Sequence, residues 1–231
     1  MTIKQHIPNF LTCLNLLAGM IGIYYVLEGA LHWGAYFIII AAVFDFLDGF
    51  VARILKVHSE IGKQLDSLAD LVTFGVLPSF ILFKMLEQTQ LWEWLPFFGL
   101  FIGIQSALRL AKFNVDTRQT DRFIGLPTPA NAMLISTLPF LGNAMPLVGQ
   151  WLSNPWFLLG LTLVLGLLLT AELPLLALKF KDYSLKNNLF RFAVIAIGLM
   201  CLIIWGLGGI PFLILAYILL SLLEGLVVKN A

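Results

Sequence analysis

Four aspartates, Asp45, Asp48, Asp66 and Asp70, stand between apolar stretches, WGAYFIIIAAVF before the first and VLPSFILF soon after the last. Acids placed where membrane helices belong are costly and mark function. The spacings of three (Asp45, Asp48) and four (Asp66, Asp70) put each pair on one face of a helix. The two helices form a hairpin that turns near residues 57–61. In an antiparallel hairpin, residues at one height share a constant index sum, which sets Asp48 opposite Asp66 and Asp45 opposite Asp70. Four carboxylates then converge on one small volume. Unpaired, they would repel and carry a large desolvation cost. Protonation is one escape and a cation is the other. Clustered oxygen donors with no Cys or His suit a hard ion such as Mg²⁺, Mn²⁺ or Ca²⁺. Four carboxylates can hold two such ions, an arrangement suited to phosphoryl chemistry. The competing readings are helix caps, ion pairs with Arg53 and Lys63, or a proton or cation relay in a transporter.

Gly49 follows Asp48, and Gly62 lies four residues before Asp66. Glycine inside a helix costs about 1 kcal/mol against alanine, so packing or a ligand is expected to require it. Close approach of a flat or phosphate-bearing ligand would do so, as would ordinary small-residue helix packing. Ala52 is small for the same reason, and Arg53 is placed to meet a phosphate. Asn9, Thr12 and Asn15 form a stripe on the first helix, placed to contact a nucleotide or the metal shell, or to hydrogen-bond between helices.

The elements that must carry these residues are membrane helices. Of 231 residues, 60% are hydrophobic and 12% charged, and mean hydropathy is +0.93. A soluble domain of this length could not hide so much apolar surface. The fold class expected is an all-α polytopic membrane helix bundle of about eight spans, near 10–28, 33–56, 64–86, 91–113, 127–147, 156–179, 189–207 and 210–228. A short interfacial segment is expected around Ile3–Asn9. With no repeat and no long linker, 1–231 reads as one domain, with an active-site half at 1–147 and C-terminal helices at 156–228. A retained first helix is favoured over a cleaved signal peptide.

Of 14 Lys and Arg residues, all but Lys84 fall on one side of this arrangement. By the positive-inside rule both termini and the acid cluster face the cytoplasm of a cell membrane. Trp33, Trp92, Trp94, Trp151 and Trp156 gather at the opposite ends as interfacial anchors. A net charge of +1 argues against nucleic acid as a partner. Cys13 and Cys201 suggest neither disulfide nor zinc, and His6, His32 and His58 are too scattered for a metal triad.

Together the hairpin residues read D-x2-D-G-x2-A-R-x8-G-x3-D-x3-D: Asp45, Asp48, Gly49, Ala52, Arg53, Gly62, Asp66 and Asp70. This pattern resembles the signature of the CDP-alcohol phosphotransferase family. IPNFLTCLNLLAG, GKQLDSLADLVTFGVLPS, RLAKFNV and GLPTPANA look like its phosphatidylserine synthase branch, over most of residues 7–135.

The resemblance implies transfer of a phosphatidyl group from CDP-diacylglycerol, or an ether-lipid analogue, to the hydroxyl of L-serine. CMP leaves and phosphatidylserine forms. Asp45, Asp48, Asp66 and Asp70 would hold two divalent ions, Mg²⁺ or Mn²⁺, with Ca²⁺ possible in a crystal. Asp70 would double as the base. Gly49, Ala52, Arg53 and Gly62 would line the nucleotide pocket beside Asn9 and Thr12. A homodimer among membrane lipids is also implied. The alternatives are another alcohol acceptor, such as glycerol 3-phosphate or inositol phosphate, or the transporter.

For the acceptor, Arg109, Lys112, Asn114 and Arg122 are the candidates. Arg109 lies deepest, and a basic residue inside a span needs an anionic partner, here the serine carboxylate or the donor phosphate. Arg118 and Arg122 read better as contacts to lipid headgroups. Thr128 and Asn131 after Pro127 are placed to add hydrogen bonds. Glu172, beside Pro174, has no role assigned by the sequence.

Overall fold

A computed structural model describes residues 3–57, 59–116, 123–176 and 188–229. Its helices form one bundle. The first is α1 (Ile3–Leu27), followed by α2 (Leu31–Leu55) and α3 (Glu60–Asp70). A π-helical turn (Leu71–Val76) joins α3 to α4 (Leu77–Glu87), and a 3₁₀ turn (Leu95–Leu100) leads into α5 (Phe101–Val115). Then come α6 (Thr128–Ala144), the short α7 (Pro146–Leu152), α8 (Pro155–Thr170), α9 (Leu189–Trp205) and α10 (Ile210–Lys229).

The all-helical expectation holds, with one small addition. Phe123–Ile124 (β1) pairs antiparallel with Pro174–Leu175 (β2). Ile3–Asn9 is continuous with α1 rather than a separate interfacial helix, and Pro8 lies inside it. By length and composition alone, three described stretches are apolar enough to cross a bilayer: His6–Leu27, Glu60–Glu87 and Leu189–Gly225. The pair α7 and α8, bent by 83°, is a fourth if counted as one broken span. The third stretch doubles back on itself. Gly206 takes a positive φ of 57°, and a Cβ at Gly198 would lie 2.5 Å from the Leu213 side chain, so α9 and α10 face each other.

The buried centre joins α2, the π-turn, α4 and α6 through Ile38, Phe74, Leu77, Ile81 and Ile135. Large apolar side chains such as Ile54, Leu167, Ile203 and Leu219 point outward. That inside-out pattern fits lipid as the solvent, where helices satisfy their own backbone hydrogen bonds.

The end of the bundle away from the acids is aromatic. Trp92 and Trp94 stack with centroids 5.1 Å apart, Trp92 meets Trp156 edge-on at 5.7 Å, and Trp33 stacks on Tyr25. His32 and Asn143 are within 3.0 Å there.

At the other end, α2 terminates because Lys56 adopts the left-handed conformation and its N–H returns to Ala52 and Arg53. Ser59 then caps α3 by accepting the Gly62 N–H at 3.2 Å. This tight link brings the polar halves of α2 and α3 alongside one another, with α1 packed against both.

Candidate active site and metal centre

The matched-height argument for the hairpin agrees with the coordinates. One carboxylate oxygen from each of Asp45, Asp48 and Asp66 lies within 4.8 Å of the other two. Asp45 also stands against the Asp70 carboxyl, so Asp70 adjoins the trio from the deeper side. The donors are all hard oxygens, the set a divalent ion of the magnesium or calcium kind prefers. On donor chemistry, the residues fit such an ion.

α1 orients the carboxylates. The Thr12 hydroxyl donates to Asp48 Oδ2 at 2.5 Å, with the Pro8 carbonyl 3.1 Å away. One turn deeper, Asn15 Nδ2 donates to Asp70 Oδ1 at 3.2 Å. Such outer partners fix the geometry of metal-binding carboxylates. Thr12 and Asn15 of the polar stripe therefore serve the acid cluster directly.

Asp70 is the last residue of α3, just before the π-turn. Thr73 in that turn donates to the Asn15 carbonyl at 3.2 Å. α1 can come so close because Gly19 has no side chain; a Cβ there would lie 3.0 Å from Thr73 Cα. π-helical turns are often found at functional sites. This one re-aims the chain directly after Asp70.

A cleft of about 250 Å³ opens beside the acids, between α1, α2 and α3. Asn9, Thr12, Gly49, Ala52 and Gly62 line it, along with Asp48, Asp66, Ser59 and Lys63. The two glycines have different reasons. At Gly62 a Cβ would lie 2.9 Å from Asn9 Oδ1, so the Asn9 side chain packs close over this glycine. At Gly49 a Cβ would meet nothing within 4 Å, so its small size leaves the cleft open.

Arg53 does not line this cleft. It is exposed and donates from Nε to the Gly49 carbonyl at 3.0 Å. Lys63 likewise reaches a backbone carbonyl, that of Asn114, at 3.5 Å.

The acceptor candidates separate. Arg109 is buried, at 8% exposure, and interacts electrostatically with Asp70 and Tyr217. Its guanidinium lies 5.9 Å from the Phe113 ring centroid. Lys112 is exposed. Asn114 ties α5 to α3 by donating to Ser67 Oγ at 2.8 Å. Arg122 and Arg118 lie outside the described residues, as does His58.

Residues 5–174 match the CDP-alcohol phosphatidyltransferase family. The chain belongs to this family. Among its relatives, a Bacillus subtilis protein is 36% identical over 143 residues, covering 60% of this chain and 78% of the relative. A Helicobacter pylori protein is 31% identical over 195 residues, covering 84% and 80%. One from Methanocaldococcus jannaschii is 30% identical over 221 residues, covering 96% and 92%. All three are named CDP-diacylglycerol–serine O-phosphatidyltransferase.

Sequence reasoning did not foresee a clip beyond the acid cluster. Gly125, at φ +77°, donates to the Leu173 carbonyl at 2.9 Å, and Leu126 donates to that of Leu168 at 2.9 Å. On α10, Tyr217 donates to the Leu176 carbonyl at 2.9 Å, and Ser221 accepts the Leu176 N–H at 3.2 Å. α10 thus fastens the strand that fixes the start of α6. The sequence carried only a faint sign of this, the Gly–Leu–Pro turn before α6.

Proposed function

We propose that this chain transfers a phosphatidyl group from CDP-diacylglycerol to the hydroxyl of L-serine, releasing CMP and forming phosphatidylserine. The observation that carries the proposal is the convergence of Asp45, Asp48 and Asp66, with Asp70 adjoining, beside a cleft lined by the family's glycines. The relatives' shared name supports serine as the acceptor.

In this reading Asp45, Asp48, Asp66 and Asp70 hold two divalent ions, Mg²⁺ or Mn²⁺. When bound, the metal offsets pyrophosphate charge and stabilises the departing CMP. Thr12 and Asn15 keep the carboxylates oriented. Asn9, Gly49, Ala52 and Gly62 hold the CDP head, with Arg53 at the outer edge. The cleft's small residues let the nucleotide approach the α2 backbone.

Asp70 takes the proton from the serine hydroxyl. The serine oxygen bonds to the phosphorus next to the diacylglycerol, and the bond from that phosphorus to the CMP oxygen breaks. CMP leaves with that electron pair. Arg109, buried beside Asp70, holds an anionic group of the acceptor. Lys112, Asn114 and Arg122 would then serve the route in from the cytoplasm.

The proposal includes eight spans forming one domain over 1–231, with the active-site half at 1–147. Both termini and the site face the cytoplasm, for which the lysine and arginine distribution is the support. The expected homodimer rests on family resemblance, and the donor is CDP-diacylglycerol or its ether-lipid analogue.

The test is CMP release by the purified protein with CDP-diacylglycerol and Mg²⁺ or Mn²⁺. It is run with serine, glycerol 3-phosphate, inositol phosphate or no acceptor. Release dependent on both serine and metal is the expected result. Release only with another acceptor discards serine, and none with any acceptor discards the proposal.

A further inference from the structure

Buried polar atoms without a partner are rare, because each costs about 1–3 kcal/mol. Among the described residues such atoms occur at Asn15 Oδ1, Ser106 Oγ, Arg109 Nε and both amide atoms of Asn131. All of them lie on helices, α1, α5 and α6, that pack on the π-turn following Asp70. Asn15 holds Asp70, and Arg109 interacts electrostatically with it. Ser106 is one turn from Arg109 on α5 and packs on Gly75 of the π-turn, where a Cβ would come within 2.8 Å of it. Asn131 is on the first turn of α6, and α6 packs on the same π-turn. Its side chain is fully buried.

Both ends of the Asn131 carboxamide are unmatched: two N–H donors and one carbonyl acceptor. Such an amide complements a ligand that both donates and accepts. An α-amino acid does this with its ammonium and carboxylate. A phosphorylated polyol instead brings a dianion that calls for cations, and Arg109 is the one buried cation among the described residues.

We infer that Asn131, assisted by Ser106, is a specificity-determining residue that reads the zwitterionic head of the acceptor. The amide oxygen accepts from the ammonium, the amide nitrogen donates to the carboxylate, and Arg109 carries the charge of that carboxylate. Gly125–Pro127, clipped to α8 and through Leu176 to α10, holds Asn131 at this depth. This rests on the serine reading above and adds to it the residue that selects an amino acid.

The decisive variant is Asn131→Leu, close in size and apolar. A buried amide with no protein partner is replaced by such a side chain without loss of stability. The full-length protein in lipid nanodiscs is assayed for CMP release and melting temperature. The acceptors are L-serine, ethanolamine, 3-hydroxypropionate and glycerol 3-phosphate. The expected result is an unchanged or higher melting temperature and a serine KM raised at least about tenfold. The donor KM should stay within about twofold, and the preference for serine over the two truncated acceptors should be lost.

Asn131→Ala and Ser106→Ala provide the same readout should the leucine variant not fold, with the smaller effect at Ser106. An unchanged serine KM overturns the inference. So does a parallel rise of both KM values with a lower melting temperature, which would make Asn131 a packing residue. A wild-type protein that releases no CMP with serine defeats the serine reading itself, whatever the variants do.

Discussion

The hairpin of α2 and α3 and the hairpin of α9 and α10 make opposite use of polar residues. In the first, carboxylates face one another, their partners come from α1, and a cleft lies open beside them. In the second, polar side chains satisfy each other and the backbone. Tyr217 and Ser221 hold Leu176, and Arg191 lies 3.8 Å from Glu224. The family match ends at residue 174, before the second hairpin begins. An arrangement of like charges needs a ligand to be tolerable. A closed set of hydrogen bonds needs nothing more and serves to fix position. The first hairpin is built to bind, and the second to hold Leu176 beside the strand at Pro174–Leu175.

The largest expected effect is at Asp70. Asp70→Asn keeps shape and removes the base, and CMP release should fall about 10²–10⁴-fold with the melting temperature little changed. A loss under about tenfold would move the base elsewhere in the first hairpin.

Thr12→Val comes next. It deletes the hydroxyl that holds Asp48 and should weaken Mg²⁺ or Mn²⁺ activation about 10–100-fold, as read from metal titrations of activity. Unaltered metal dependence would show that α1 packs on the cluster without tuning it.

Gly49→Ala sharpens the contrast. Its Cβ enters open space in the cleft, so helix propensity should raise stability by up to about 1 kcal/mol. The donor KM should rise severalfold at the same time. A rise in stability with no change in donor KM would remove Gly49 from the nucleotide pocket.

The smallest effect is expected at Tyr217→Phe. The ring remains, and the Leu176 carbonyl loses its partner, at a cost of about 1 kcal/mol by thermal denaturation. Metal dependence should not move. If this variant weakened metal activation as much as Thr12→Val, the two hairpins would not be separable in function.

Much of the acid cluster was legible in the sequence, because a hairpin with a short turn leaves little freedom in height or facing. Asp45, Asp48 and Asp66 converge as the spacing requires. The polar stripe Asn9, Thr12 and Asn15 was visible, but its division of labour was not. Which carboxylate each one meets depends on how α1 crosses the hairpin.

Asn114, an acceptor candidate by sequence, also joins α5 to α3, which its position in the sequence did not reveal. Arg53, a phosphate candidate by sequence, donates to the Gly49 carbonyl of its own helix. Long polar side chains at helix ends have several partners within reach, and only the packed neighbours choose among them. The π-turn was not legible either; its close neighbours, Gly19 on Thr73 and Ser106 on Gly75, come from distant segments.

The sequence by itself determined that this is a membrane helix bundle with oxygen donors concentrated on one hairpin. Hydropathy and helical period are local properties, readable one segment at a time. The tertiary structure alone decided which buried groups are satisfied. It closed Tyr217 and Ser221 of α10 on Leu176 and left Ser106 Oγ, Arg109 Nε and the Asn131 amide unmatched on helices that pack on the π-turn after Asp70. Hydrogen-bond satisfaction is a relation between distant segments, and no single segment carries it.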